Sequence, residues 1–262
     1  MVRYIHQIDP YKHNIVIHTY PNQQDKVYTP LLGNNSLLTG ASLQNHWNAT
    51  HQRTLKWVQE SAAAGRPWVV ANDEQGNAGL GVPPDPGYDG FDGMAKQPNG
   101  EEYNLHDIRK AVLWGNIMAG GAGVEYYFGY QLPQNDLVAE DFRSRDRSWD
   151  FCRIAINFFH DNRIPFWNMS NANSLIGNDG NSNGKYCLTD HDNIYLVYLS
   201  SGGTTDLDLS SVSGQFSVMW FNPRTGGDTL RGSVRRVQGG EVVSIGMPPS
   251  QGDEDWLAII RK

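Results

Sequence analysis

The chain has 262 residues, 39% of them hydrophobic, which is enough apolar content for one large folded domain or two small ones. Its net charge is −7 and its 21 lysines and arginines are scattered along the sequence, which argues against nucleic acid as a partner. No apolar run approaches the roughly 20 residues that a membrane span needs, and the first residues show no signal-peptide core, so we expect no membrane partner.

Strand and helix patterns alternate over residues 1–167. The predicted strands are 14–19, 41–44, 67–72 and 122–129. The predicted helices are 49–65, 104–121 and 144–162. The apolar face predicted for the last helix comprises Trp149, Cys152, Ile156 and Phe159. Such alternation is typical of βα units around a parallel sheet, so we predict an α/β domain here.

Polar side chains end three of these predicted strands. His18 ends the first and Gln44 the second. The third is apolar enough to be buried on both faces, and it ends in the run Asn72, Asp73 and Glu74. In a parallel α/β sheet the carboxyl ends of the strands meet at one edge, where ligands bind. These side chains are therefore candidates for chemistry, although Asn and Asp also commonly lead strands into ordinary turns.

The pattern changes after residue 167. Residues 168–184 are rich in Asn, Gly and Ser and are predicted to be a linker. Residues 185–262 then show short period-two strands, namely "KYCLT", "IYLVYLS", "TTDLDLS", "QFSVMWFNP", "VRRVQ", "EVVSIG" and "DWLAIIRK". Short strands separated by turns predict a small antiparallel β-sandwich. The aromatic residues expected in its core are Tyr195, Tyr198, Trp220 and Trp256.

One spacing around the linker matches a calcium-binding loop. The match comprises Asp179, Asn181, Asn183, Gly184 and Asp190, with Asp where a bidentate Glu is expected. The flanking helices of such a loop are missing from the sequence pattern, and Asn- and Gly-rich linkers produce this spacing easily. Zinc, phosphate-loop and dinucleotide motifs are also missing, so we predict neither a metal nor a cofactor.

Several long segments resemble one family of enzymes. They are "DPYKHNIVIHTYP", "SLQNHW", "GRPWVVANDEQG", "IRKAVLWGNIMAGGAGVEYYFGY", "DFRSRDRSWDFCRIAINFF", "YLVYL", "MWFNPRTGG" and "DWLAIIRK". They resemble the apiosidase-like glycoside hydrolases, which join a (β/α)8 barrel to a small β-sandwich named for collagen binding. The resemblance implies that residues 1–167 are half of a (β/α)8 (TIM-type) barrel, strands five to eight, followed by the β-sandwich. It also implies a bacterial protein that is extracellular or periplasmic.

The resemblance implies roles for several residues. Glu74 matches the nucleophile position at the end of strand seven, whereas the acid/base at the end of strand four is expected upstream of Met1. Retaining glycosidases need two carboxyl groups about 5 to 5.5 Å apart. Asp73 cannot easily partner Glu74 because adjacent strand residues point to opposite faces. Glu125 is the best second carboxylate in this chain, with sugar binding or a hydrogen bond to a neighbour as its alternatives. The residues expected to bind sugar are His18, Gln44, Asn72, Asp73, Glu125 and Tyr127.

Two functions remain open from the sequence. The first is a glycoside hydrolase that acts on polysaccharide or oligosaccharide glycosidic bonds, with Glu74 as nucleophile. The second is a non-catalytic carbohydrate-binding module or a truncated fragment that holds a glycan without cleaving it. In both, carbohydrate is the expected partner. A half barrel would also expose two sheet edges and an apolar inner face, which favours self-association.

Overall fold

The computed structural model describes residues 1–75, 79–138, 141–250 and 252–262. The chain divides into two compact units. The N-terminal unit comprises Met1–Ile117 and Gly121–Asp146, and the C-terminal unit comprises Met118–Gly120 and Arg147–Lys262. Within the described residues, every helix is too short or too polar to cross a membrane.

The first 146 residues build a mixed α/β structure with a parallel sheet. Its helices are α1 Val2–Ile8, α2 Gln24–Tyr28, α3 Thr50–Ala63, α4 Leu105–Asp107 and α5 Gly115–Met118, with a π-helical segment Ile108–Trp114 between the last two. Its strands are β1 Val16–Thr19, β2 Gly40–Asn45, β3 Val69–Gln75, β4 Ala95–Lys96, β5 Glu102–Tyr103 and β6 Gly123–Val124. The parallel sheet has the order β1-β2-β3-β6, and β4 and β5 form an antiparallel hairpin. The predicted alternation and parallel sheet are confirmed.

Two strands differ in length from their predictions. β3 continues through the polar run to Gln75, because Gln44 and Asn45 of β2 keep pairing with Glu74 and Gln75. The strand predicted at 122–129 is reduced to β6, Gly123–Val124. Beyond β6, the Tyr127 N–H donates to the Gln75 side chain at 3.1 Å. A side chain thus takes the place of a backbone carbonyl as the hydrogen-bond partner.

A hydrophobic cluster of the N-terminal unit lies on one face of the parallel sheet. Leu43 and Val70 pack there against Tyr28, Trp57 and Trp68, and the Tyr28 and Trp57 rings meet edge to face with centroids 5.0 Å apart. On the other face, the side chains at the start of the strands are open to solvent. Val16 is 50% exposed and Val69 49% exposed. The expectation that β3 is buried on both faces is therefore wrong, because only the helix-facing side is covered.

A layer of buried amides lies under the carboxyl end of β2. Gln24 donates to the Gln44 carbonyl at 2.8 Å and to Asn45 Oδ1 at 2.9 Å. Its own carbonyl oxygen accepts from the Trp57 indole at 3.0 Å. All these groups are buried, so each needs its partner to offset the cost of leaving water. The layer fixes the position of the strand end.

We expect Gln24→Ala to destabilise the protein by about 2 kcal/mol, because it leaves the Gln44 carbonyl, Asn45 and Trp57 without this partner. The free energy of unfolding would be measured by urea titration with tryptophan fluorescence. Gln23→Ala, at the half-buried neighbouring position, is the matched control and should change stability by about 0.5 kcal/mol or less. Equal losses in the two variants would contradict the role of the amide layer.

The C-terminal unit contains one long helix and two antiparallel sheets. The helix is α6 Asp146–Asp161. The strands are β7 Ser170–Asn171, β8 Lys185–Thr189, β9 Ile194–Leu199, β10 Asp206–Asp208, β11 Gln215–Phe221, β12 Arg236–Gln238, β13 Val242–Ser244 and β14 Trp256–Arg261. One sheet has the order β12-β11-β14-β9-β8-β7, and β10 pairs with β13 in the other. The predicted strands and their antiparallel pairing are confirmed.

The side-chain patterns of this unit were predicted with mixed success. Tyr195, Tyr198, Trp220 and Trp256 are at most 1% exposed, as expected for core positions. The predicted apolar face of α6 is wrong, since Ile156 is 59% exposed. The buried residues are instead Ser148, Phe151, Ile154, Ala155 and Phe158. They repeat with the same helical spacing but lie on a different side of the helix.

The segment 168–184, expected to be a linker, is tied to the six-stranded sheet. Its strand β7 pairs with β8, and Asn173 accepts the Cys187 N–H at 2.8 Å. Asn178 donates to the Lys185 carbonyl at 2.6 Å. Asn side chains therefore act here as substitutes for backbone hydrogen bonds, a use that composition does not distinguish from flexibility.

Several oxygens of the calcium-like spacing accept hydrogen bonds within the chain. The Asp190 carboxylate accepts backbone N–H groups of Asp192, Asn193 and Ile194 at 2.8 to 3.1 Å. Asn183 Oδ1 accepts from the Tyr186 hydroxyl at 2.9 Å. Among the residues that the structure describes, three or more His, Cys, Asp or Glu side chains nowhere converge on a metal position.

The "NPRTGG" turn after β11 contributes to a buried charged network. Arg224 contacts the carbonyl and the Oδ1 of Asp255, the latter at 3.4 Å, and lies over the Trp256 ring. Tyr198 donates to Asp255 Oδ2 at 2.7 Å, and Asp255 is fully buried. This part of the motif therefore holds β9, β14 and the turn together.

Candidate active site

An irregularity in β3 determines which side chains form the site. Leu43 of β2 pairs with Asn72, but the next residue, Gln44, pairs with Glu74, so Asp73 is an extra residue in the strand. Side chains alternate between the two faces of a strand, and an extra residue shifts that alternation. The bulge at Asp73 therefore puts Asn72 and Glu74 on opposite faces. Glu74 lies on the open face, opposite the helix-facing core.

Glu74 contacts two neighbouring strands through its two carboxylate oxygens. Gln44 donates to Oε1 at 2.5 Å, and His18 Nε2 lies 3.3 Å from Oε2. The Glu74 side chain is 21% exposed and that of His18 is 44% exposed. The carboxylate is thus fixed by an amide and an imidazole but still accessible to a ligand.

Ser42 orients His18 from beneath. His18 pairs with Ser42 in the parallel ladder, and His18 Nδ1 lies 2.9 Å from the Ser42 hydroxyl. When Nε2 carries the proton and donates to Glu74, Nδ1 accepts from this hydroxyl. Ser42 is a site residue that sequence reasoning missed, and its signal was its position two residues before Gln44 on the same strand face.

Asn72 and Asp73 lie away from the Glu74 side chain. Asn72 is fully buried on the helix-facing side and accepts from Asn45 at 2.6 Å. The charge of Asp73 acts on Tyr28, where burial first and Asp73 second raise the pKa of the phenol above its ordinary value. The structure therefore brings His18, Gln44 and Glu74 together, and it does not place Asn72 or Asp73 beside them.

Gln75 fixes the segment that follows β6. Its amide nitrogen donates to the Glu125 carbonyl, and its oxygen accepts from the Tyr127 N–H at 3.1 Å. Gln75 is fully buried, so both bonds are shielded from water. Sequence reasoning missed this residue as well, although a glutamine directly after Glu74 at the end of an apolar strand was a usable signal.

Glu125 and Tyr127 lie on that fixed segment. The Glu125 N–H donates to the Asn72 carbonyl at 3.0 Å, and its side chain is exposed. Tyr127 is half-buried, and burial together with the negative charge of Glu74 raises the pKa of its phenol. Tyr127 and Glu74 therefore influence each other electrostatically, and Glu125 provides a second carboxylate next to the strand that carries Glu74.

The arrangement offers specific chemistry. A carboxylate held by two donors is fixed in orientation, which suits attack on an electrophilic carbon or the acceptance of hydrogen bonds from hydroxyl groups. Neither use needs a metal or an organic cofactor. The exposed Glu125 and the half-buried Tyr127 add an acceptor and a hydroxyl or ring face for a polar ligand.

We expect Glu74→Gln to lower the pKa of Tyr127, because it removes a negative charge that disfavours the phenolate. The pKa should stay above the ordinary value of 10.0, since burial is the larger cause of the shift. A pH titration of ¹³C-labelled tyrosine side chains by NMR would measure it. Glu125→Gln is the control, and an equal shift in both variants would show that Glu74 is not the specific neighbour.

Comparisons with known proteins agree with this architecture. Residues 171–261 match the family described as "Putative collagen-binding domain of a collagenase". The structure is similar to a glycoside hydrolase family 5 protein from Bacteroides vulgatus, with a TM-score of 0.69, 17% identity, and coverage of 100% of this chain and 57% of that one. It is also similar to a protein described as a glycoside hydrolase, with a TM-score of 0.67, 14% identity, and coverage of 100% and 60%.

The chain shares its fold with part of these glycoside hydrolases. It spans less than two thirds of the length of either solved structure, and identities this low establish the fold alone. No curated protein matches the sequence. The resemblance to glycoside hydrolases and to the collagen-binding domain is thus supported at the level of fold and domain, whereas the apiosidase-like subfamily stays a prediction.

Proposed function

We propose that this chain is part of a glycoside hydrolase that cleaves glycosidic bonds in a polysaccharide or oligosaccharide, with Glu74 as the nucleophile. The observation that carries the proposal is the position of Glu74, which a bulge turns to the open face of the sheet and which Gln44 and His18 hold there. A strand-end carboxylate of this kind is where barrel glycosidases place their chemistry.

The proposal includes a correspondence with the full barrel of an apiosidase-like enzyme. β1, β2, β3 and β6 would be strands five to eight, within residues 1–167, and residues 185–262 would be the accessory sandwich. Support comes from the parallel order of the strands, the uncovered sheet face and the partial coverage of the longer hydrolases. By the same analogy, the protein would act outside the cell or in the periplasm.

In the proposed reaction Glu74 attacks the anomeric carbon and forms a covalent glycosyl ester. The leaving oxygen takes a proton from a second carboxylic acid, which then activates water to hydrolyse the ester. We assign this acid to the strand-four position, outside the 262 residues, or to a second chain. His18, Gln44, Glu125 and Tyr127 would hold sugar hydroxyls, while the buried Asn72 and the bulged Asp73 would keep Glu74 in place.

Glu74→Gln should reduce turnover of aryl glycosides by about 10³-fold or more, because an amide cannot form the glycosyl ester. Glu74→Ala with added azide should recover part of the turnover, since azide can occupy the space of the lost carboxylate and attack the same carbon. Release of the aryl group measures both. Glu102→Gln, at an exposed Glu of β5 outside the candidate site, is the control and should retain most of the activity.

Several outcomes would count against a catalytic Glu74. Equal activity of the Glu74→Gln variant and the parent would remove Glu74 from the chemistry. Binding of oligosaccharides without turnover by the parent chain would favour the alternative of a non-catalytic carbohydrate-binding module or fragment. The azide product distinguishes a lost nucleophile from a lost structural contact, because only a nucleophile is replaced by the anion.

We propose further that the open sheet face promotes self-association. Val16 and Val69 are half-exposed at the start of β1 and β3, which flank β2 in the sheet, and covering them with a second copy would bury apolar surface. Light scattering should therefore show a dimer at micromolar concentration. Val69→Lys should convert it to a monomer, whereas Val242→Lys, at a valine of similar exposure in the C-terminal unit, should not. A monomeric parent protein would contradict this proposal.

A further inference from the structure

The C-terminal unit contains a cavity of about 500 Å³ whose lining residues do not include those of the candidate active site. It lies between α6 and the turn 222–229 after β11. Ile154, Phe158 and Phe221 form its apolar base. This volume is within the range of about 300 to 1,000 Å³ that is usual for sites of small ligands.

Three contacts fix the walls of the cavity. The Phe158 and Phe221 ring centroids are 4.6 Å apart. Arg261 of β14 donates to the Asn162 carbonyl, just after α6, at 2.7 Å. Gly226 has a φ of +69°, and a Cβ there would lie 3.2 Å from an Ile154 side-chain carbon, so the turn approaches the helix closely. The cavity is therefore pre-formed, which lowers the entropy cost of binding.

The rim of the cavity carries polar side chains that are available to a ligand. Within the described part of the chain, Asn157 and Asp161 of α6 and Asp228 of the turn form neither hydrogen bonds nor ion pairs through their side chains. Thr225 and Thr229 add two hydroxyl groups. These carboxylates, amide and hydroxyls supply both acceptors and donors around one opening.

The charges of the rim restrict the ligand. The rim carries the carboxylates of Asp161 and Asp228, whereas the guanidinium of Arg153 pairs with Asp150 at 2.8 Å and that of Arg261 donates to the Asn162 carbonyl. Two rim carboxylates disfavour a polyanionic ligand such as a uronate polymer. Neutral hydroxyl groups, by contrast, donate to carboxylates and accept from amides and threonines.

We propose that this cavity is a second, non-catalytic binding site for neutral sugar residues. The inference rests on the proposed glycoside hydrolase function for its choice of a polyhydroxyl ligand. The site would hold the polysaccharide on the C-terminal unit while the bond is cleaved elsewhere, and linked sites of this kind raise the effective concentration of substrate.

The test is a titration of the full ¹⁵N-labelled chain with cellohexaose, xylohexaose and mannohexaose in turn, followed by NMR. At least one hexaose should shift the amide signals of Gly226 and Gly227. The double variant Asp161→Ala/Asp228→Ala should weaken that binding by about tenfold or more. Asp206→Ala, which removes an exposed Asp from β10 outside the cavity, is the control and should bind like the parent.

The outcomes separate this inference from the catalytic proposal. Glu74→Gln should abolish turnover without changing the cavity shifts, and the double variant should lose the shifts while retaining turnover of a small aryl glycoside. If none of the three hexaoses shifts Gly226 or Gly227, or if the double variant binds as tightly as the parent, the inference is wrong. Shifts produced only by polygalacturonate, by Ca²⁺ or by a (Pro-Pro-Gly)10 peptide would also overturn it.

Discussion

The candidate site depends on one extra residue in a strand. Without the bulge at Asp73, Gln44 would pair with Asp73, and Glu74 would point to the helix-facing side together with Asn72. A carboxylate there would be buried beside Trp57 and Tyr28, where ionisation is costly. Because of the bulge, the Glu74 carboxylate lies instead on the open face, where Gln44 and His18 hold it. Bulges often lie beside active sites because they redirect a single side chain without disturbing the rest of the sheet.

A layer of buried amides lies on the opposite, helix-facing side of the sheet and holds the strand ends in place. Gln24, Asn45, Asn72 and Gln75 are all buried, and their hydrogen bonds connect α2, β2, β3 and the segment after β6. Asn72 Nδ2 is the exception among these described groups, since it is buried without a partner. An unsatisfied donor costs stability, so its retention here is consistent with strain tolerated next to a functional residue.

The sequence was informative where hydrophobic periodicity alone decides the structure. It predicted the parallel sheet and the antiparallel strands of the C-terminal unit, whereas the role of Glu74 as nucleophile came from the family resemblance and stays a proposal. It could not predict the bulge, because strand register depends on which residues of β2 meet those of β3. It also placed Ile156 on the wrong face of α6, since two overlapping apolar spacings fit that helix. Residues 168–184 were predicted to be a linker because composition does not reveal which groups Asn173 and Asn178 bind.

One face of the parallel sheet packs against the helices, and the opposite face carries the candidate active site. Tyr28, Trp57 and Trp68 pack on the helix side with Leu43 of β2 and Val70 of β3, and burial of these side chains stabilises the sheet from that face. The opposite face leaves Glu74 accessible, and under the proposed function a retaining reaction needs a second carboxyl group besides Glu74. On that proposal, the acid would lie on the segment or second chain that covers the open face. Covering Val69 and completing the active site would then be the same event, so the proposed cleavage would depend on assembly of the barrel.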